Sequence, residues 1–263
     1  MRNNILHNFF ASGVQSYGPY VTAYIARLNA LGYTVPDATR LTSIDAMFTT
    51  IGPTTMAKFD ILYIFALNNA SLQNAASLNI ITPTLYQATY VNSPSYDQMG
   101  VMGNGTTSYV NTNFNPATNG VNYTVNDASR VYYLETVPTI GTLLEGSSPT
   151  NNRNNTFYSA SSQLQRINSG SNNLNAAVDS TGVGYKALVR TTSSDVSFYN
   201  ETTKSDRTQS AVSVLSEVQT LCKNGSLFSN SEFGLFGMGA SLTQAENTTI
   251  RSAYLTYRTD IGL

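Results

Sequence analysis

The chain has 263 residues, with 14 Lys and Arg against 15 Asp and Glu, one His, one Cys, no Trp and a formal net charge of -1. Charged residues are 11% of it, where an ordinary soluble domain carries about 25%. This balance excludes the basic field that duplex nucleic acid requires, the single Cys excludes a disulfide framework or multi-thiolate metal site, and the single His excludes a His-rich one.

Residues 1–19 form an arm of mixed polarity ending in Gly18-Pro19. Its apolar side chains are Ile5, Leu6, Phe9 and Phe10. They either pack back on their own domain or insert into a neighbouring subunit as anchor contacts, since a terminal segment is ordered only when something ties it down. Asn3, Asn4, His7 and Asn8 break the apolar run that a secretion signal needs. The most apolar window, residues 59–67, falls far short of the about 20 residues of a membrane helix. No signal and no membrane span are expected.

Residues 20–55 read as a helical hairpin. Val21, Tyr24, Ile25, Leu28 and Leu31 make one apolar stripe in residues 20–32, and Gly32 supplies a stop. Pro36-Asp37 starts a second helix over 37–51, with Leu41, Ile44, Met47, Phe48 and Ile51 at helical spacing and Gly52-Pro53 after it.

From residue 56 the period changes. Lys58-Phe-Asp-Ile-Leu-Tyr-Ile-Phe65 is short, aromatic and β-branched, as a buried strand is. A short helix is expected over 70–78. Strand pieces then alternate with turn clusters at 87–91, 100–102, 108–112, 130–134, 156–159, 185–190 and 195–199. Asn104-Gly105, Asn119-Gly120 and Asn224-Gly225 are turn dipeptides, because both residue types tolerate positive φ. Glu232-Phe-Gly-Leu-Phe-Gly-Met-Gly-Ala-Ser241 reads as a strand interrupted by glycines, which predicts close approach of another backbone. Thr243 and Glu246 form a capping box that opens a helix with the stripe Ile250, Ala253, Tyr254 and Tyr257. The expected fold is mainly β: a sandwich over 56–263, closed by a C-terminal helix and preceded by the hairpin.

Catalytic chemistry is hard to find. A glycosidase needs two carboxyl groups on one cleft face, yet Glu135, Glu145, Glu201, Glu217, Glu232 and Glu246 are scattered singly. A nucleophilic triad would have to recruit His7 from the arm. Cys222, beside Lys223-Asn-Gly225, reads as a small apolar residue at a strand end. Gly100, Gly103 and Gly105 lie between strands with no helix after them, unlike a phosphate loop. Asp97, Asp127, Asp179, Asp195 and Asp206 read as turn formers more readily than as calcium ligands. No cofactor and no enzyme activity are expected. Tyr123, Tyr132, Tyr133, Tyr158 and Tyr199 read mainly as sheet packing. The other reading makes Tyr123, Tyr158 and Tyr199 contacts for sugar rings.

Three runs in the middle of the chain carry a resemblance: Tyr90-Val-Asn-Ser-Pro-Ser-Tyr96, Gly100-Val-Met-Gly-Asn-Gly-Thr-Thr-Ser-Tyr109 and Asn111-Thr-Asn-Phe-Asn-Pro116. With the strand from Lys58, Val121-Asn-Tyr-Thr-Val-Asn-Asp-Ala-Ser129, Lys223-Asn-Gly225 and Gly237-Met-Gly-Ala-Ser-Leu-Thr-Gln-Ala-Glu246, they stand in an order over residues 20–263. That order resembles the concanavalin-like (laminin-G-like) jelly-roll structural proteins of tailed bacteriophages, including crAss-like phages. The resemblance implies a virion protein with no catalytic residues: a head decoration, head-fibre or tail-associated subunit. Its expected partners are other virion proteins, capsid or tail, and copies of itself in a homo-oligomer such as a trimer. The alternative is a virion carbohydrate-binding module for host surface glycans.

Overall fold

The computed structural model describes residues 15–139, 143–146, 153–159, 162–170 and 182–263; for 143–145, 153–159 and 162–164 it describes the backbone. Helix α1 (Pro19–Leu31) starts on Pro19, which has no N–H to leave unpaired, and closes at Gly32 with φ +65°. Of its stripe, Val21, Tyr24 and Leu28 are buried and Ile25 and Leu31 half-buried. Helix α2 (Ala38–Ile51) begins where the Asp37 carboxylate accepts the Arg40 N–H, and all five of its stripe residues are buried. One turn, α3 (Pro53–Met56), leads to β1 (Phe59–Ile64), buried at every residue.

A 3-10 turn at Ala70–Leu72 runs into α4 (Gln73–Ala76), where the sequence predicts one short helix. Short strands follow: β2 (Thr89–Val91), β3 (Ser95–Tyr96), β4 (Val101–Met102) and β5 (Tyr109–Asn111), then the helical turn α5 (Pro116–Asn119). Longer strands are β6 (Ala128–Thr136), β7 (Leu143–Gly146), β8 (Arg153–Ser159), β9 (Ser162–Ser169), β10 (Gly184–Arg190), β11 (Asp195–Asn200) and β12 (Thr203–Thr208). The two-residue strands β13 (Thr220–Leu221), β14 (Lys223–Asn224) and β15 (Leu227–Phe228) precede β16 (Glu232–Gly239) and α6 (Gln244–Asp260).

One sheet has eight strands in the order β12-β11-β10-β6-β16-β4-β3, with β1 also on β16. The second has six, β2-β5-β13-β7-β8-β9. Every pairing is antiparallel, and β14–β15 form a separate hairpin. The fold is therefore mainly β, a two-sheet sandwich with helices at its N-terminal side and a C-terminal helix. Among the described residues no helix is long and apolar enough to cross a membrane.

Strand alternation sorts the larger sheet into two faces. Tyr133, Tyr185 and Leu235 share one, and α6 covers it: the Tyr133 and Tyr254 rings lie 5.0 Å apart, and the Tyr185 hydroxyl donates to Asn247 at 2.8 Å. The predicted α6 stripe is buried there, and the capping box is present. Lys58 reaches Glu246 of that box at 2.8 Å, tying the start of α6 to β1. The other face turns to the smaller sheet. From it Arg190 donates through Nε and Nη2 to the Ile167 carbonyl of β9 at 3.0 and 2.8 Å, and through Nη1 to Gln209 at 2.8 Å. A buried guanidinium is costly unless its donors are used; here they clamp one sheet to the other. Residues of the hairpin and of the sandwich join one continuous apolar core.

The glycine-interrupted strand meets its expectation at Gly239, where a Cβ would stand 2.0 Å from the Lys58 carbonyl of the neighbouring chain segment. At Gly234 the close neighbour is a side chain: a Cβ would lie 2.2 Å from the Glu135 carboxyl and 2.4 Å from the Tyr254 hydroxyl. One predicted turn is different. Asn119-Gly120 ends α5, and Gly120 has φ -65°. Pro116 has started a helical turn there, so the pair closes a helix rather than a hairpin.

Candidate functional site

An open groove of about 660 Å³ lies on the face of the larger sheet that carries α6, beyond the start of that helix. Its floor and walls come from β10, β11, β12 and the segment leading into α6. The hairpin β11–β12 sets its polarity through register: Asp195 faces Thr208, Ser197 faces Asp206 and Tyr199 faces Lys204. Side chains at these alternating positions share one face.

One pair of charges in the groove is already matched. Asp206 accepts from Ser197 Oγ at 2.6 Å and pairs with Lys204 at 2.8 Å. The Lys204 ammonium, with Ser197 beside it, holds the Asp206 carboxyl below its ordinary range. Asp195 receives the Thr192 hydroxyl at 2.8 Å. Thr191, Thr208 and Gln244 add neutral polar groups to the lining.

Tyr199 lies in this groove as part of its wall, 4% exposed, and burial raises its hydroxyl pKa. Tyr123 does not share that surface. It is 2% exposed, its hydroxyl is 3.1 Å from Asn168 Oδ1, and it presents no ring face to a sugar. Tyr132 and Tyr133 are also buried. Tyr158 belongs to β8, where the backbone alone is described. The anchor residues Ile5, Leu6, Phe9 and Phe10, together with His7 and Asp179, lie outside the described residues.

Acids that look solitary in the sequence converge elsewhere. Glu135 on β6 and Glu232 on β16 meet because Glu232 pairs in register with Thr136, and the β3–β4 turn adds Asp97. Glu135 is 7% exposed and Glu232 4%. Burial pushes the Glu135 carboxyl up to about 7, against the pull of Arg258, which pairs with it at 2.9 Å. The group with an acid's pKa near neutrality is thus sealed beneath α6, while the groove holds a carboxylate fixed in its charged form. Local sequence patterns carry no signal for this convergence, since the three acids come from separate strands and a turn.

Cys222 is fully buried, donates to the Ser231 carbonyl at 3.2 Å and has its thiol pKa pushed up to about 12 by burial. It stays a neutral thiol. Asp97 accepts from the Met99 N–H at 2.7 Å, as a turn residue does, whereas Asp127 accepts from the distant Ser241 N–H at 2.6 Å and so fastens its loop to the segment before α6. Among the described residues no group of three or more His, Cys, Asp or Glu is placed to hold a metal ion.

No protein-family model and no curated protein sequence matches the chain. Solved structures match in shape. A Trypanosoma rangeli sialidase aligns at 12% identity over 90% of this chain and 38% of its own, with a TM-score of 0.52. The fold is a concanavalin-like jelly-roll sandwich. A mutant of HCR/D aligns with the jelly roll at 8% identity over 76% of this chain and 53% of its own, with a TM-score of 0.51. Domain 4 of AbnA, a GH43 extracellular arabinanase from Geobacillus stearothermophilus in complex with arabinotriose, aligns at 12% over 74% and 98%, with a TM-score of 0.46. The jelly roll spans about a third to a half of the sialidase and HCR/D chains. Likeness at these identities concerns the fold.

Proposed function

We propose that this jelly roll is a non-catalytic structural subunit of a tailed-phage virion, a head decoration, head fibre or tail-associated protein. Residues 1–19 dock it to capsid or tail proteins, and the sandwich projects from the particle in a homo-oligomer. The observation that carries this reading is the separation of chemistry from access. The near-neutral acid is sealed under α6, and the open groove displays the Lys204–Asp206 ion pair, an exposed Asp195 and hydroxyls. General acid catalysis needs a protonatable group within reach of substrate. The order of motifs over residues 20–263 supports the phage assignment.

Deletion of residues 2–19 tests the docking. The full chain is expected on purified particles, seen in micrographs labelled with an antibody to it. The deletion variant is expected to fold but to be missing from them. Normal incorporation of the variant ends the anchor role; particles lacking the full chain end the virion role.

A second reading is favoured by the groove: it binds a host glycan. Asp195, Ser197, Thr208 and Gln244 offer acceptors and donors around the Tyr199 wall. A hydrogen bond to a charged group is worth about 1.5–3 kcal/mol, so Asp195→Ala is expected to weaken binding at least about tenfold on a glycan array. An array on which the intact protein binds nothing removes this reading and leaves the structural one standing.

A further inference from the structure

Strand β12 ends the larger sheet: β11 lies against it, and among the described residues no strand lies beyond it. Thr203, Lys204, Asp206 and Thr208 are exposed. The Gln209 N–H donates to the Ser194 carbonyl at 2.7 Å, one step past the Asp195–Thr208 pair. Hydrogen-bonded and non-bonded pairs alternate along an antiparallel ladder. Arg207, Ser205 and Thr203 therefore direct their main-chain groups to β11, while Lys204, Asp206 and Thr208 turn theirs outward. The Asp206 carbonyl fits this parity. With no strand to meet, it accepts from the Arg207 side chain, through Nη1, at 3.0 Å. An edge of this kind is a template for another strand.

We propose that β12 pairs with β12 of a second copy, antiparallel, about a two-fold axis through Ser205. Charge chooses the register. Outward-facing residues must meet outward-facing residues, so the axis passes through a residue and not between two. With the axis at Lys204, Asp206 or Arg207, that residue meets its own copy, and like charges directly opposite destabilise a sheet. An axis at Thr203 or Thr208 joins the strands over less of their length and brings no opposite charges together. With the axis at Ser205, Lys204 of each copy faces Asp206 of the other. Each of these two pairs exchanges two main-chain hydrogen bonds across the seam. Lys204 and Asp206 already pair within one copy at 2.8 Å, so the seam carries four charges of alternating sign.

The product is one sheet with eight strands from each copy. Its axis stands perpendicular to the sheet, so both α6 faces point the same way. The two grooves, each lined by Lys204 and Asp206, meet along the seam. The six residues of β12 fall below the about 20–30 a side of a standard interface, so free chains pair weakly. Copies held side by side gain effective concentration. The pairing goes beyond the virion reading and rests on it only for that crowding.

Cross-linking of the full chain reads the register. At the axis Ser205 faces Ser205 in a non-bonded pair, where Cα atoms stand about 4.5 Å apart, within reach of a disulfide. In Lys204→Cys or Asp206→Cys the two thiols come from positions two residues out of step, beyond the about 7 Å limit. Ser205→Cys is expected to form linked dimers at least about tenfold faster than either, each rate being divided by that thiol's reaction with a small disulfide. Cys222 is fully buried and does not compete. Added to Ser205→Cys, Lys204→Glu and Asp206→Lys each place like charges opposite and are each expected to slow the link about tenfold. An equimolar mixture of the two is expected to recover it, because in the mixed pair every charge again faces its opposite.

Equal rates at the three positions overturn the pairing, as does a fastest link from Asp206→Cys or a mixture that does not recover. Slow linking in all three variants also overturns it and leaves the edge to a strand of another protein. If the chain is nevertheless found on particles, the virion role stands without this interface. Fast linking of Ser205→Cys with no chain on particles keeps the interface and ends the virion role.

Discussion

Gly239→Ala is expected to destabilise the protein by about 3 kcal/mol or more, at the upper end of what overpacking costs. The added Cβ would stand 2.0 Å from the Lys58 carbonyl oxygen, 2.7 Å from Phe59 Cα and 2.8 Å from the Lys58 carbonyl carbon. All three are backbone atoms, so no rotamer change can relieve the collision. The segment it strikes is fixed from several sides. The Ala240 N–H donates to the same Lys58 carbonyl at 2.9 Å, and the Lys58 side chain is held by Glu246. Moving β1 away from β16 would open the centre of the larger sheet. Calorimetry should show a melting temperature lowered by about 6–12 °C for a domain of this size. Gly182→Ala is the matched control, because a Cβ there meets nothing within 4 Å. A Gly239→Ala protein that melts with the control would show that β1 can slide without loss.

Asp60→Ala is expected to cost about 3–5 kcal/mol. Asp60 is the second residue of β1 and 9% exposed. Its carboxylate accepts the backbone N–H groups of Val121, Asn122 and Tyr123 at 3.2, 2.9 and 2.9 Å. Alanine leaves all three donors unpaired, and each orphaned group costs about 1–3 kcal/mol unless water reaches it. The loop so released is the one that places Tyr123 against Asn168, so the loss spreads from the larger sheet to the smaller. Asp60→Asn keeps one acceptor oxygen and turns an N–H toward other N–H groups, and about half the loss is expected. Urea midpoints at unchanged slope measure both. A loss below about 1 kcal/mol in Asp60→Ala would mean that the loop hydrates without strain.

The helices were legible because their information is local. The stripe Leu41, Ile44, Met47, Phe48 and Ile51 repeats every turn, and Thr243 with Glu246 marks a start within four residues. Buried strands such as β1 and β10 announced themselves by β-branched and aromatic content. Strand β12 did not: Thr-Lys-Ser-Asp-Arg-Thr has no apolar alternation, because an edge strand with little burial needs none. The groove was hidden for a related reason, since four of its lining residues belong to β12 and three more arrive from the segment leading into α6, far along the chain from β10 and β11. Asp97, Glu135 and Glu232 meet through sheet order, which no local pattern encodes. Tyrosine is ambiguous by chemistry. A half-polar ring suits a core and a binding face alike, and the Asn168 partner that settles Tyr123 lies far along the chain.

The central place of β16 also has a temporal meaning. Its partners β1, β4 and β6 are all made before it, and each leaves an edge open until Glu232–Gly239 arrives. On the ribosome the larger sheet cannot close progressively from its first strand. Contacts so distant in sequence are slow to form and leave sticky edges waiting in the meantime. A nascent chain stalled before residue 232 would hold most of the jelly roll's strands and lack the one that joins β1, β4 and β6, so closure of the larger sheet waits for β16.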